Sequence, residues 1–213
     1  RVKNFYKNTT IGKIEFSDGS FIKASEILNL SLLKESQGDD IIHMLGDDDY
    51  TINSLGGDDD IITNSGNDYI DGGNGNDTIT TNSGNDIING GRGNDILNGG
   101  KGNDTYVFER GFGNDTIINY NPNLDSTDTI KFINGITLND LSFSQDGNNL
   151  YITMDDENSV TVKGFFNGQA IKKIEFSDGK TLNLKDILKN HFLFFHQLKF
   201  LCNFQCHFCA LRS

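Results

Sequence analysis

Nine aspartates share one setting, with a glycine two residues before each and an apolar residue two after. They are Asp40, Asp48, Asp59, Asp68, Asp77, Asp86, Asp95, Asp104 and Asp115, in triplets such as Gly38/Asp40/Ile42, Gly46/Asp48/Tyr50 and Gly93/Asp95/Leu97. An aspartate places two hard oxygens on a short stem, and a tightly turned glycine loop leaves backbone carbonyls beside them. That is a donor set for Ca²⁺, which takes about six to eight oxygens at roughly 2.3–2.6 Å. One loop cannot supply them all, so loops must stack and share an ion.

The residue beside each aspartate separates metal chemistry from simple turn formation. Directly after the loop glycine the chain varies between Asp and Asn, as at Asp39, Asp58, Asn67 and Asn85, whereas the next position is Asp in all nine copies. A turn accepts Asn at either place, so a metal-free solenoid in which Gly-Asn-Asp is only a turn signal leaves the fixed carboxylate unexplained. The candidate carbonyl ligands are Gly72, Gly73, Gly75, Gly84, Gly90, Gly91, Gly93, Gly99, Gly100 and Gly102. Ser54-Leu55, Thr63-Asn64 and Thr81-Asn82 replace the leading glycine pair, and there any ion depends on carbonyls of other residues. Carboxylates stacked one strand spacing apart, about 4.8 Å, repel by roughly 3 kcal/mol at an effective dielectric of about 20. The metal-free array is therefore expected to be largely unfolded.

The spacing says what must hold these loops. From Gly57 to Gly102 the triplet recurs every nine residues without a slip, and the first two copies and the last are offset by one or two residues, which predicts small bulges at the ends. Thr-Asn-Ser-Gly-Asn-Asp stands at 63–68 and again at 81–86, an 18-residue period. Two nonapeptides thus predict one coil, with odd and even loops in separate columns. The apolar residue after each aspartate points inward on a short strand, and the two strands of each coil enclose a thin core. The fold class is all-β: a parallel β-roll followed by a small β-rich capping domain.

A longer period of about 160 residues is also present. Val2-Lys3-Asn4-Phe5-Tyr6 and Lys13-Ile14-Glu15-Phe16-Ser17-Asp18-Gly19 match Val162-Lys163-Gly164-Phe165-Phe166 and Lys173-Ile174-Glu175-Phe176-Ser177-Asp178-Gly179 without a gap. The expected organisation is the end of a preceding cap unit at 1–31, the roll at 32–118, a cap at 119–190 and a distinct tail at 191–213. Within the cap, Asp128 to Phe132, Leu141 to Ser144, Leu150 to Met154, Ser159 to Val162 and Lys173 to Phe176 read as strands, with turns at Asp146-Gly147 and Asp178-Gly179. Leu184 to Lys189 reads as one short helix. Such a cap covers the open end of a solenoid, whose last strand would otherwise present unpaired backbone.

The run Gly90-Gly91-Arg92-Gly93-Asn94-Asp95-Ile96-Leu97-Asn98 resembles the repeats-in-toxin (RTX) nonapeptide, a calcium-binding β-helix repeat. Gly102-Asn103-Asp104-Thr105-Tyr106-Val107-Phe108, followed by Gly113-Asn114-Asp115-Thr116-Ile117, looks like the end of a haemolysin-type array. Asp128-Thr129-Ile130-Lys131-Phe132 and Ile174-Glu175-Phe176-Ser177-Asp178-Gly179 resemble the domain that follows such arrays. The resemblance implies a secreted or surface-exposed bacterial protein. Such a protein leaves the cell unfolded through the type I secretion machinery and folds outside on calcium. The stacked loops lead us to expect about four or more ions, and the 160-residue period leads us to expect further RTX units in the same chain. The implied role is a non-catalytic folding module of a toxin, adhesin or surface protein, with the carboxyl-terminal segment of a secreted hydrolase as the alternative.

Composition agrees with a cation partner. Asp and Glu outnumber Lys and Arg by 30 to 18, a formal charge of −12, which argues against nucleic acid or an anionic membrane as partner. The sequence starts at Arg1 with no basic-then-apolar leader, so a fragment or internal stretch is expected. No His-Glu-x-x-His motif, nucleophile elbow or phosphate loop is present. His43 and the pair Asp155-Asp156 read as solvated side chains. Cys202, Cys206 and Cys209 are the three cysteines, and their spacing resembles the iron–sulfur motif of radical S-adenosylmethionine enzymes. Only four residues follow, too few for the barrel such chemistry needs, so the readings are an incidental or frame-shifted tail, a truncated fusion, or another metal site that includes His207.

Overall fold

The glycine-rich half of each nonapeptide turns the chain, and its apolar-centred half is long enough for a three-residue strand. The computed structural model describes residues 13–15, 21–23, 37–44, 46–118, 126–167, 171–183 and 185–187. The amino-terminal strands β1 (Lys13–Glu15) and β2 (Phe21–Lys23) form an antiparallel pair. The roll contains β3 (Ile41–His43), β4 (Thr51–Asn53), β5 (Asp60–Ile62), β6 (Tyr69–Asp71) and β7 (Thr78–Thr80). It continues through β8 (Ile87–Asn89), β9 (Ile96–Asn98), β10 (Thr105–Phe108) and β11 (Asn114–Ile117). Beyond it lie β12 (Asp128–Phe132), β13 (Ser142–Asp146), β14 (Asn149–Thr153), β15 (Ser159–Val162), β16 (Ile171–Glu175) and β17 (Thr181–Asn183).

Alternate strands fall into two sheets, as the 18-residue period requires. One runs β4-β6-β8-β10-β12-β16-β17 and the other β3-β5-β7-β9-β11-β15-β14-β13. Pairing is parallel from β3 and β4 through β11, β12, β15 and β16, and turns antiparallel only at the hairpins that finish each sheet. The inward residues form two unbroken lines. Ile52, Ile70, Ile88, Tyr106, Ile130 and Ile174 stand in register in the first sheet. Ile42, Ile61, Ile79, Leu97, Ile117 and Val162 do so in the second. Most are fully buried, and each such side chain contributes about 1.5–3 kcal/mol. The core is one residue thick per sheet, so rigidity must come equally from the loops.

The ends differ from the expected bulges. Counted by core residues, Ile42 to Ile52 has one residue beyond the nine-residue step and Tyr106 to Ile117 has two, yet the strands on either side pair without a register shift. The additions are absorbed between strands, the second around Phe112, which is buried. The one register shift within these sheets lies in the cap, between Asp128 and Thr129. Matching Ile52 to Ile70 also moves the second repeat by two residues, so its triplet is Asp48/Tyr50/Ile52 rather than Gly46/Asp48/Tyr50.

Cap strands were legible as strands, but they are extensions of the roll rather than a separate layer. β12 and β16 continue one sheet and β15 continues the other. Phe108, Phe112, Phe132 and Phe176 pack against one another where the roll meets these strands, with ring centroids 5.3 Å apart for Phe108–Phe112 and 6.1 Å for Phe132–Phe176. Of the expected helix from Leu184, residues 185–187 are helical and the others lie outside the described residues. The hairpin β1–β2 pairs Lys13↔Lys23, Ile14↔Ile22 and Glu15↔Phe21, while β16–β17 pairs Lys173↔Asn183, Ile174↔Leu182 and Glu175↔Thr181. Every position is displaced by 160 (173 − 13, 183 − 23).

Candidate metal centre

Stacking in register makes each aspartate a rung of a ladder. In the odd column the amides of Asp40, Asp59, Asp77 and Asp95 donate to Oδ1 of Asp59, Asp77, Asp95 and Asp115 at 2.8–2.9 Å. In the even column Tyr50, Asp68, Asp86 and Asp104 donate to Oδ1 of Asp68, Asp86, Asp104 and Asp128 at 2.8–3.1 Å. Each carboxylate thus spends one oxygen on the coil before it. The other is left over: Oδ2 of Asp59, Asp68, Asp77, Asp86, Asp95 and Asp104 is buried with no hydrogen-bond partner. Six orphaned anionic oxygens in one small roll would be prohibitive unless something neutralises them.

The variable neighbour has a different task. Asn76, Asn94 and Asn114 donate through their amides to Oδ1 of Asp58, Asn76 and Asn94, and Asn85 and Asn103 do so to Asn67 and Asn85. This ladder runs in the opposite sense along the stack and needs only an Oδ1 acceptor, which Asp and Asn supply equally. Free exchange at one position and strict Asp at the next therefore have separate physical causes.

Glycine shapes the space around Oδ2. A Cβ on Gly72, Gly90 or Gly99 would collide with Oδ2 of Asp77, Asp95 or Asp104, and at Gly72 also with the Gly90 carbonyl one coil on. Carboxylate and carbonyl oxygens thus converge on the same space beside the leading glycine. Where the leader is not glycine, its hydroxyl turns to that carbonyl: Ser54 Oγ donates to Gly72 O at 2.7 Å and Thr81 Oγ1 to Gly99 O at 3.1 Å. The second glycine of the pair takes positive φ at Gly73, Gly91 and Gly100, and so do two of its three substitutes, Leu55 (φ 69°) and Asn82 (φ 62°), whereas Asn64 does not. Asn tolerates that region, whereas Leu55 costs about 1–2 kcal/mol there.

These residues fit a hard divalent cation. Stacked carboxylates supply charge, loop carbonyls supply further oxygens, and no three acidic, His or Cys side chains converge among the described residues, so backbone carbonyls and water would complete any shell. Eight of the nine expected aspartates stand in the two columns, and Asp48 does not. It is exposed, its carbonyl occupies the place that Gly57 fills against Gly75 in the other column, and Tyr50 stands where the column aspartate would be. Ile52, buried in line with Ile70, sets the register here and leaves Asp48 outside the column. Asp128, overlooked because Ser126 stands where a glycine would announce it, belongs to the even column. His43 is exposed and faces Asp60 at 3.3 Å, away from the columns. Asp155 accepts from Asn158 Nδ2 at 2.7 Å and shapes a turn. Cys202, Cys206 and Cys209 lie outside the described residues.

Burial pushes the column carboxyls up from the ordinary 3.8, to about 6 at Asp86 and Asp95, about 7 at Asp77 and Asp104 and about 8 at Asp115. A raised folded-state value means that folding favours the protonated form. The stability is fully present below about pH 4 and is lost as pH rises through 6 to 8. Asp140 and Asp155, held below the usual range by hydrogen bonds from Thr137 and Asn158, act in the opposite sense only in stronger acid. In EDTA, circular dichroism should therefore show β structure growing as pH falls from about 8 to 5. A spectrum unchanged across that range would show that the buried carboxyls do not limit the metal-free roll.

Residues 53–88, 71–106 and 80–117 match the family model of the RTX calcium-binding nonapeptide repeat (4 copies), and residues 149–186 match that of the haemolysin-type calcium binding protein related domain. The chain is 40% identical over 89 residues to iron-regulated protein FrpA of Neisseria meningitidis serogroup C, an overlap of 39% of this chain and 8% of that protein. It thus spans less than a tenth of that relative's length. Among solved structures, the solution structure of the AlgE6R3 subunit from the Azotobacter vinelandii mannuronan C5-epimerase aligns with 61% of this chain and 73% of its own, at 22% identity and a TM-score of 0.31.

Proposed function

We propose that this chain, which carries RTX calcium-binding nonapeptide repeats followed by a haemolysin-type related domain, is a calcium-driven folding module of a secreted or surface-exposed protein. The observation that carries the proposal is the row of buried Oδ2 atoms without partners at Asp59, Asp68, Asp77, Asp86, Asp95 and Asp104. These oxygens and those of Asp40, Asp115 and the loop carbonyls would hold the ions. Bound Ca²⁺ would supply positive charge between stacked carboxylates. Same-column neighbours among these carboxylates would share the ions, and about four or more are expected.

The chain's own residues do the rest. The amide ladders fix loop spacing, the Ile and Leu lines close the core, and the leading glycines leave room beside Oδ2. None of these holds well while the carboxylates are unneutralised, so the folded state depends on the ion. That dependence suits export through a type I channel, because the chain stays extended where calcium is scarce and sets where it is plentiful. We further take residues 1–31 as the end of a preceding cap, 32–118 as the roll, 119–190 as its cap and 191–213 as a separate tail. The shared hairpin register of β1–β2 and β16–β17 supports the first of these.

The test is a far-ultraviolet circular dichroism titration of the chain with CaCl₂ after EDTA treatment, against MgCl₂. Ca²⁺ tolerates irregular shells of six to eight oxygens, whereas Mg²⁺ demands a near-ideal octahedron. A coil-to-β transition with calcium and none with magnesium is expected at neutral pH. A chain already folded in EDTA and unmoved by calcium would refute the proposal and favour a metal-free solenoid.

A further inference from the structure

Sequence repeats end at residue 117, but the even column does not. Ser126-Thr127-Asp128 reproduces the contacts that Gly102-Asn103-Asp104 makes one coil earlier. The Asp104 amide donates to Asp128 Oδ1 at 3.0 Å, as that of Asp86 does to Asp104 Oδ1 at 3.1 Å. The Thr129 amide donates to Asp104 O at 2.8 Å, as Thr105 does to Asp86 O at 2.7 Å. Thr127 N meets Asn103 Oδ1 at 2.8 Å, as Asn103 N meets Asn85 Oδ1 at 2.9 Å. Asp104 and Asp128 are both 0% exposed, and Asp104 Oδ2 has no hydrogen-bond partner. The odd column has no such continuation, because Val160 stands opposite Asp115.

We propose that Asp128 supplies a carboxylate to one further divalent-cation site, shared with Asp104, that fastens the cap to the roll. The inference rests on the reading of the columns as calcium sites and adds a ligand from outside the repeats. Its consequence is mechanical. Asp128 opens β12, which pairs with β10 on one side and β16 on the other. Phe132 at the far end of β12 packs on Phe108 and Phe176. An ion at the head of this strand would make folding of the cap depend on calcium although its remaining strands carry none of the nonapeptide signature.

The experiment counts ions per chain by equilibrium dialysis in the unsubstituted protein and in Asp128→Asn. Asparagine keeps the Oδ1 acceptor for the Asp104 amide and removes the charge. One ion fewer is expected in Asp128→Asn, with the remaining sites unaltered. An unchanged count overturns this inference alone, whereas an unsubstituted chain that binds no calcium overturns the calcium reading and this inference with it. Hydrogen exchange in the unsubstituted chain tests the same point should the variant fail to fold. The Thr129 amide should gain protection over the same calcium range as that of Thr105. Full protection of Thr129 without calcium, while Thr105 still responds, would overturn the proposal.

Discussion

Asp86→Asn should no longer fold completely at a calcium concentration sufficient for the unsubstituted chain, whereas Asn85→Asp, one residue away, should fold almost normally. Asp86 is 1% exposed; its Oδ1 accepts from the Asp68 amide at 2.8 Å and its Oδ2 has no partner. Asparagine preserves the first contact but places an NH₂ group where an anionic oxygen is required, and an unsatisfied buried donor costs about 1–3 kcal/mol. Asp86 also faces two intercoil gaps, toward Asp68 and toward Asp104. An ion at 100 times its dissociation constant contributes about 2.7 kcal/mol, so losing two approaches the whole stability of a domain, about 5–15 kcal/mol. Asn85 is exposed, and an aspartate there still accepts from the Asn103 amide, as Asn85 does at 2.9 Å. What it loses is the exposed Nδ2 contact to Asn67 at 3.2 Å, an effect within about 0.5 kcal/mol. In EDTA the order should reverse, because neutral asparagine removes a carboxyl whose burial raises it to about 6. Calcium titrations of the two variants by circular dichroism decide the matter, and coincident midpoints would refute a ligand role for Asp86.

The contrast between residues 85 and 86 is also where the sequence was most readable. Strict Asp at one position and Asp/Asn exchange at its neighbour predicted a ligand beside a spacer; both accept a backbone amide at Oδ1, and what sets the strict position apart is its buried, unpartnered Oδ2. The 18-residue period likewise dictated two columns, because a strand can join the sheet on its own side only every second nonapeptide. Reading failed where a loop glycine was used as the ruler. Gly46 pointed to Asp48, but burial of Ile52 in line with Ile70 fixes the register there. Ser126 concealed Asp128, whose place follows from Asp-x-apolar and the Ile130 line rather than from glycine. Cap strands were visible by alternation, while their continuation of the roll was not. β11 pairs with β15 across a long intervening segment, and local patterning carries no information about so distant a partner.

Gly93→Ala should unfold the roll whatever the calcium concentration, and Gly111→Ala should not. Both glycines have positive φ, 141° and 87°, so both substitutions carry a conformational penalty of about 1–3 kcal/mol. Their surroundings differ. A Cβ on Gly111 meets nothing within 4 Å, whereas one on Gly93 would overlap the carbonyl of Gly75 in the coil before it. That neighbour is backbone, locked by Gly75 N to Arg92 O at 2.8 Å and Arg92 N to Gly73 O at 2.6 Å, and it cannot rotate away as a side chain would. The coils must separate, which breaks the aspartate ladder that sets the spacing between Asp77 and Asp95. Gly93→Ala thus combines overpacking with loss of a proposed metal site, and a cost above about 4 kcal/mol is expected. Urea denaturation in saturating calcium measures both variants. A small, equal loss at the two positions would mean that glycine is retained here for its φ alone. A large loss confined to residue 93 would mean that the roll needs glycine chiefly because its coils approach too closely for any side chain. The same carbonyl contact recurs at Gly75 and Gly113, so the closeness that forbids a methyl group in this column would also bring successive aspartates near enough to share an ion.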